Sequence, residues 1–145
     1  MSKRTSFTVD LKKMIEEATG NAEEVVKLAS LNLYKKIVYK TPVDTGHLQK
    51  NWNMSLRYAD TTVTDMGNVT DTIKSAEKII SSFKLKDGIW IANNVPYAYD
   101  IEYGKSKVKA PQGMVRVSLQ EFDTIFKGSA MTVNKGAGSK QNRYL

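Results

Sequence analysis

The chain has no cysteine, which excludes disulfides, thiolate metal sites and thiol nucleophiles and suits a protein assembled in the cytosol. It has one histidine, His47, so a zinc site would rest on carboxylates or water, an uncommon set for that ion. A serine-histidine-aspartate arrangement would have to be built around that single imidazole beside a turn. No metal and no cofactor are expected. No GxGxxG follows a strand pattern and no GxxxxGK followed by Ser or Thr occurs, which leaves nucleotide binding without support. Apolar runs stay far below the roughly 18 residues of a membrane span. Residues 1–7 also lack the apolar stretch of a signal peptide. The chain reads as soluble and unprocessed, with no membrane partner.

What is present begins with charge. The formal net charge is +7 over 145 residues, and six of those seven excess charges sit at the ends. Lys3 and Arg4 stand at the start, and Lys127, Lys135, Lys140 and Arg143 stand at the finish, with no acid among residues 1–7 or 127–145. The body between is nearly balanced, apart from a basic loop of Lys105, Lys107 and Lys109 with Arg116 shortly beyond. A lysine run is usually a solvated face, but these residues are also the candidates for contact with phosphate backbone or with an acidic protein surface.

The length allows one domain with one core. Residues 1–7 read as a flexible arm, 8–126 as a single α+β domain, and 127–145 as a basic tail whose Gly, Ser, Asn and Lys content predicts mobility. Leu11, Met14, Ile15 and Ala18 predict a short helix over Asp10–Thr19. Val25, Val26, Ala29, Leu33 and Ile37 predict a longer one over Ala22–Tyr39, with Leu28, Leu31 and Tyr34 widening its apolar surface. Trp52, Met54, Leu56 and Tyr58 alternate, predicting a core-facing strand in His47–Tyr58. Asp60–Asn68 reads as a loop, Thr70–Phe83 as a helix, Lys86–Gly88 as a turn and Ile89–Ala92 as a strand. Tyr97–Tyr103 reads as a short helix with Tyr97 and Ile101 inward and Ala98 as a further inward candidate, ended by Gly104. Across Met114–Phe126, Val115, Leu119, Phe122 and Phe126 return at near-helical spacing, although Arg116–Leu119 also alternates well enough for a strand. The expected fold is a small antiparallel sheet packed by a long N-terminal helix and two or three shorter helices. Trp52 and Trp90 read as core residues.

Two turn-dense passages dominate the chain. In the first, Thr41, Pro42, Asp44, Thr45 and Gly46 stop a helix and reverse the chain: proline pushes its predecessor out of the helical region, aspartate bonds to backbone two residues on, and glycine accepts positive φ. The second holds Asn94, Pro96, Tyr97, Glu102 and Gly104. Asp44, Asp100 and Glu102 are the carboxylates from which an acid-base pair could be built. Such chemistry needs a pocket that drives two pKa values apart, and a structural role is the ordinary reading.

With their neighbours, these passages resemble the tail-completion or head-to-tail joining proteins of long-tailed bacteriophages, the HK97 gp10-like group. The likeness is carried by Thr41-Pro42-Val43-Asp44-Thr45-Gly46-His47-Leu48, Asn51-Trp52, Asn93-Asn94-Val95-Pro96-Tyr97-Ala98, Glu102-Tyr103-Gly104, and Ala110-Pro111-Gln112-Gly113-Met114-Val115-Arg116, in order, across most of residues 7–126. His47 stands where such proteins more often carry arginine. The resemblance implies a non-enzymatic virion component, assembled in the bacterial host cytoplasm. It would form a ring, commonly of six copies, at the head-tail junction, meeting connector or adaptor proteins on one side and tail-terminator or tail-tube proteins on the other, with genomic DNA in the lumen. Helix 22–39 is the expected patch between copies. Two other classes compete with this expectation: a small basic nucleic-acid-binding module, and a hydrolase using Asp44, Asp100 or Glu102.

Overall fold

Helix α1, Ala22–Lys40, forms where the aliphatic stripe is densest, with Glu23 and Glu24 in its first turn and Lys40 in its last, each sign at the end the helix dipole favours. It stops at Thr41, whose ψ of 126° is extended, as the following Pro42 requires. A computed structural model describes the backbone of residues 21–103 and 113–139, and the side chains of all of these except 135–139. The short helix expected over residues 10–19 and the arm 1–7 lie outside the described residues.

From Thr41 the chain turns through Gly46, whose φ is +86°, into the single turn α2, His47–Lys50. Strand β1, Asn53–Ser55, follows and pairs antiparallel with β2, Trp90–Ala92, aligning Met54 with Ile91 and Ser55 with Trp90. Between them lies α3, Val69–Ser81, opened by a reciprocal capping box in which the Asn68 side chain accepts from the Asp71 N–H and Asp71 accepts from the Asn68 N–H. Helices α4 (Ala98–Glu102), α5 (Val115–Leu119) and α6 (Phe122–Ser139) complete the described chain. The protein is α+β: helices around a two-stranded antiparallel sheet. Among the described residues no helix is long and apolar enough to cross a membrane.

Four expectations need correction. The run His47–Tyr58 is a helical turn and a three-residue strand; Trp52 and Met54 are buried as expected, but Tyr58 is exposed. The Ser55 hydroxyl donates to the Tyr58 carbonyl at 2.6 Å and bends the chain away from the sheet. Trp90 is also exposed, because it aligns with Ser55 on the outward face of the ladder while Met54 and Ile91 face inward. Tyr97 is exposed as well, whereas Ala98 is buried, Ile101 packs partly buried against the core, and the remaining inward position of α4 belongs to Glu102.

The C-terminal segment departs furthest from expectation. The tail expected to be mobile from Lys127 is helical through Ser139, and it packs on α1. Phe122, Phe126, Ser129 and Val133 are buried at i, i+4, i+7 and i+11, a helical stripe that holds despite the glycines around it. With α6 along one flank and α3 and α2 also against α1, the wide apolar surface of α1 is covered within its own fold: Val25, Val26, Ala29, Leu33, Tyr34, Ile37 and Val38 are all buried. Each fully buried aliphatic side chain there contributes about 1.5–3 kcal/mol. That buried stripe is therefore not free to meet another chain.

Tyr34 has no exposed surface, and its phenol donates to the Trp52 carbonyl at 2.7 Å. Burial pushes that phenol well above its usual range. Because the folded-state pKa is raised, the unfolded chain loses its proton first, near pH ~10. The stabilisation is complete below that pH and declines as pH rises beyond it. Thermal midpoints measured from pH 9 to 11 should therefore fall less steeply in Tyr34→Phe than in the wild type.

Candidate functional site

The first motif passage closes around one polar chain of contacts. Trp52 Nε1 donates to Thr41 Oγ1 at 2.8 Å, and Thr41 Oγ1 donates to the Ile37 carbonyl at 2.7 Å. The same Trp52 offers its carbonyl to Tyr34. All of these side chains are buried and all their polar atoms are paired, so the arrangement fixes the exit of α1 against the entry to β1. Thr45 Oγ1 accepts from the His47 N–H at 3.3 Å across Gly46, while Asp44 is exposed and Pro42 half-buried.

The fold brings the two passages together. Asn93 Nδ2 donates to the Leu48 carbonyl at 2.8 Å, and Asn93 Oδ1 accepts from the Val95 N–H at 3.1 Å. One asparagine thus ties the turn before α4 to the turn that follows Gly46. Asn94 is half-buried, Pro96 exposed and Val95 buried. Asn51, which is 1% exposed, donates to the carbonyls of His47 and Thr64 and accepts from the Thr64 N–H. It anchors the loop that precedes α3.

The most concentrated electrostatics lie where Glu102 meets the chain after Gly113. Glu102 is 2% exposed. Its Oε1 accepts from the N–H groups of Met114 at 2.9 Å and Val115 at 2.7 Å; its Oε2 accepts from the Arg116 N–H at 3.1 Å and Arg116 Nε at 3.0 Å. Arg116 Nη2 also donates to the Glu102 backbone carbonyl. The guanidinium lies 4.6 Å from the centre of the Tyr103 ring, a cation–π distance. Gly113 has φ +84°, and a Cβ there would stand 2.6 Å from the Glu102 carbonyl oxygen and collide with the carboxylate as well. Glutamate, glycine and arginine are thus one unit: the carboxylate satisfies the first donors of α5, arginine neutralises it, and glycine leaves room for both.

Arg116, expected as a contact for DNA or a partner, is held by Glu102 and Tyr103 through Nε and Nη2 while its side chain remains 39% exposed. The same arrangement occupies Glu102, whose two oxygens already carry four donors. Lys127 is exposed and pairs with Asp123 at 2.9 Å. Glu121 joins α6 to α1 through Lys36 at 3.0 Å and Lys40 at 4.0 Å, and the Lys36 hydrogen bond holds its carboxyl below the usual range. Gly104, Lys105, Lys107, Lys109, Pro111, Lys140 and Arg143 lie outside the described residues, as does the side chain of Lys135. Among the described residues, no group of three or more His, Asp or Glu side chains could hold a metal ion.

Sequence reasoning placed Glu102 and Gly113 among structural residues but missed their union with Arg116. The available signal was a lone glutamate before a glycine, answered by Gly-Met-Val-Arg. Asn51 and Asn93 stand in the sequence as motif residues, with nothing local to mark them as the side chains that close the turns. Comparison with family models, with curated proteins and with solved structures returned no match.

Proposed function

We propose that the chain is a structural subunit of the virion of a long-tailed bacteriophage, forming a ring, commonly of six copies, at the head-tail junction that completes the tail and joins it to the connector. The observation that carries the reading is the use made of the motif residues. Thr41, Trp52, Asn93 and Glu102 direct their polar atoms to backbone groups or to one another within the fold. Side chains tied to backbone in this way shape a surface, and they leave no nucleophile-base pair of the kind acyl or phosphoryl transfer requires. The hydrolase reading loses Glu102 to its four donors. Of the basic residues that a nucleic-acid reading would use, Arg116 is engaged by Glu102 and Lys127 by Asp123.

The test is a phage carrying a stop codon early in the reading frame for this chain. Infected cells should accumulate filled heads and separate tails, and purified chain added to the lysate should restore joined particles. Joined, infectious particles made without the chain would overturn the reading.

A further inference from the structure

The ring reading requires two different surfaces on one chain that fit each other, since cyclic assemblies are built from heterologous contacts. With the apolar stripe of α1 covered, those surfaces come from its exposed side or from other elements. Residues 58–66 form a loop whose backbone is held in place by its neighbours: Asn51 binds the backbone N–H and carbonyl of Thr64, Asn53 Nδ2 donates to the carbonyls of Asp60 and Thr62 at 3.1 and 2.7 Å, and Lys50 Nζ donates to the Asp65 carbonyl at 2.7 Å. On this held backbone Tyr58, Val63 and Met66 are 74%, 40% and 79% exposed. The loop carries two acids, Asp60 and Asp65, and no base. Asp60 Oδ1 accepts from the Thr62 N–H, and Asp65 lies 3.4 Å from His47 Nδ1 with its side chain 96% exposed. A loop ordered in advance that holds apolar tips in water needs little further ordering on binding.

The matching surface is the groove of about 460 Å³ between α1 and α6, lined by residues that include Lys35, Lys36, Tyr39, Ile125, Gly128 and Thr132 and by no acid. Glu121 beside it faces both Lys36 and Lys40, and Lys35 has no ion-pair partner among the described residues, so positive charge prevails. A Cβ built at Gly128 meets nothing within 4 Å, so the α6 wall is open there.

We infer that the loop 58–66 of one copy seats in the α1–α6 groove of the next, Met66 and Val63 entering it and Asp65 meeting Lys35. Opposite charges steer and register the contact while the apolar tips supply its affinity. The inference rests on the ring reading and specifies its contact.

The test uses full-length chain in sedimentation velocity. Met66→Arg blocks the loop, and Gly128→Trp fills the groove from a helix position with free space; circular dichroism and melting check that both variants fold. The wild type should assemble with rising concentration, and each variant alone should show self-association weakened by about thirtyfold or more. Mixed in equal amounts, they should form one-to-one dimers that grow no further, because one supplies an intact groove and the other an intact loop. Folded variants that assemble like the wild type, or a mixture that stays monomeric, would overturn this contact and leave the ring reading standing. A wild type that remains monomeric at every soluble concentration would overturn the ring reading and the contact with it.

Discussion

Replacing Glu102 with alanine should lower the free energy of unfolding by about 3–5 kcal/mol, the range expected when one partner of a buried ion pair is removed and its donors are left without acceptors. Three backbone N–H groups and the Arg116 Nε lose their acceptor together. Glutamine should rescue little. Each oxygen of Glu102 faces two donors, so whichever is replaced by an NH₂ group confronts two N–H bonds, and a loss of about 2–4 kcal/mol remains. Arg116→Met should cost less, about 1–2 kcal/mol, because the guanidinium is partly exposed and the carboxylate keeps its three backbone donors. Gly113→Ala should approach the loss seen for Glu102→Ala, since its Cβ would be driven into the Glu102 carbonyl and carboxylate. Gly46→Ala, at a similar positive φ but with nothing within 4 Å of the added carbon, should cost only the left-handed strain of about 1–2 kcal/mol. Urea unfolding of the five variants measures the series. If Glu102→Gln matched the wild type, the carboxylate would not be the group that caps α5.

The parts of the fold visible in the sequence are those decided locally. The stripe of Val25, Val26, Ala29, Leu33 and Ile37 and the stop at Thr41-Pro42 define α1 within a residue of its observed end. Ile73, Ala76 and Ile80 likewise define the buried face of α3. Where the chain departs from expectation, a distant partner decides. Alternation through Trp52, Met54, Leu56 and Tyr58 predicts a long strand, but β2 offers only three residues to pair with, and the Ser55 hydroxyl turns the chain aside. Trp90 looks like a core residue until the register places it opposite Ser55. Burial of Glu102 depends on donors 12 to 14 residues away, and no local pattern announces such a contact. Arg116 reads as one more cation beside the lysines because charge is legible in a sequence and a partner 14 residues away is not.

The C-terminal helix carries the second large expectation. A chain ending at Lys127 should lose most of its cooperative unfolding transition, because residues 128–139 continue α6 along α1 and place Ser129 and Val133 in the core. Val133 is fully buried, which alone accounts for about 1.5–3 kcal/mol. Removing it also uncovers apolar surface of α1, and the sum is a large share of the ~5–15 kcal/mol that holds a domain of this size together. Val133→Asp tests the same point without shortening the chain and should destabilise nearly as much, since an unpaired carboxylate would be forced into a site with no exposed surface. Met131→Gln, at an exposed position two residues away, should stay within about 0.5 kcal/mol of the wild type. Composition points the other way, because four of the nine residues 128–136 are glycine, serine or asparagine and such a segment resembles a linker. Spacing overrides composition here: Phe122, Phe126, Ser129 and Val133 return to one face every three or four residues, and α1 supplies the surface that makes the stripe worth folding. A truncated chain that melted cooperatively at the wild-type temperature would mean that α6 beyond Lys127 adds nothing to the core, and the groove proposed for the neighbouring copy would lose its second wall.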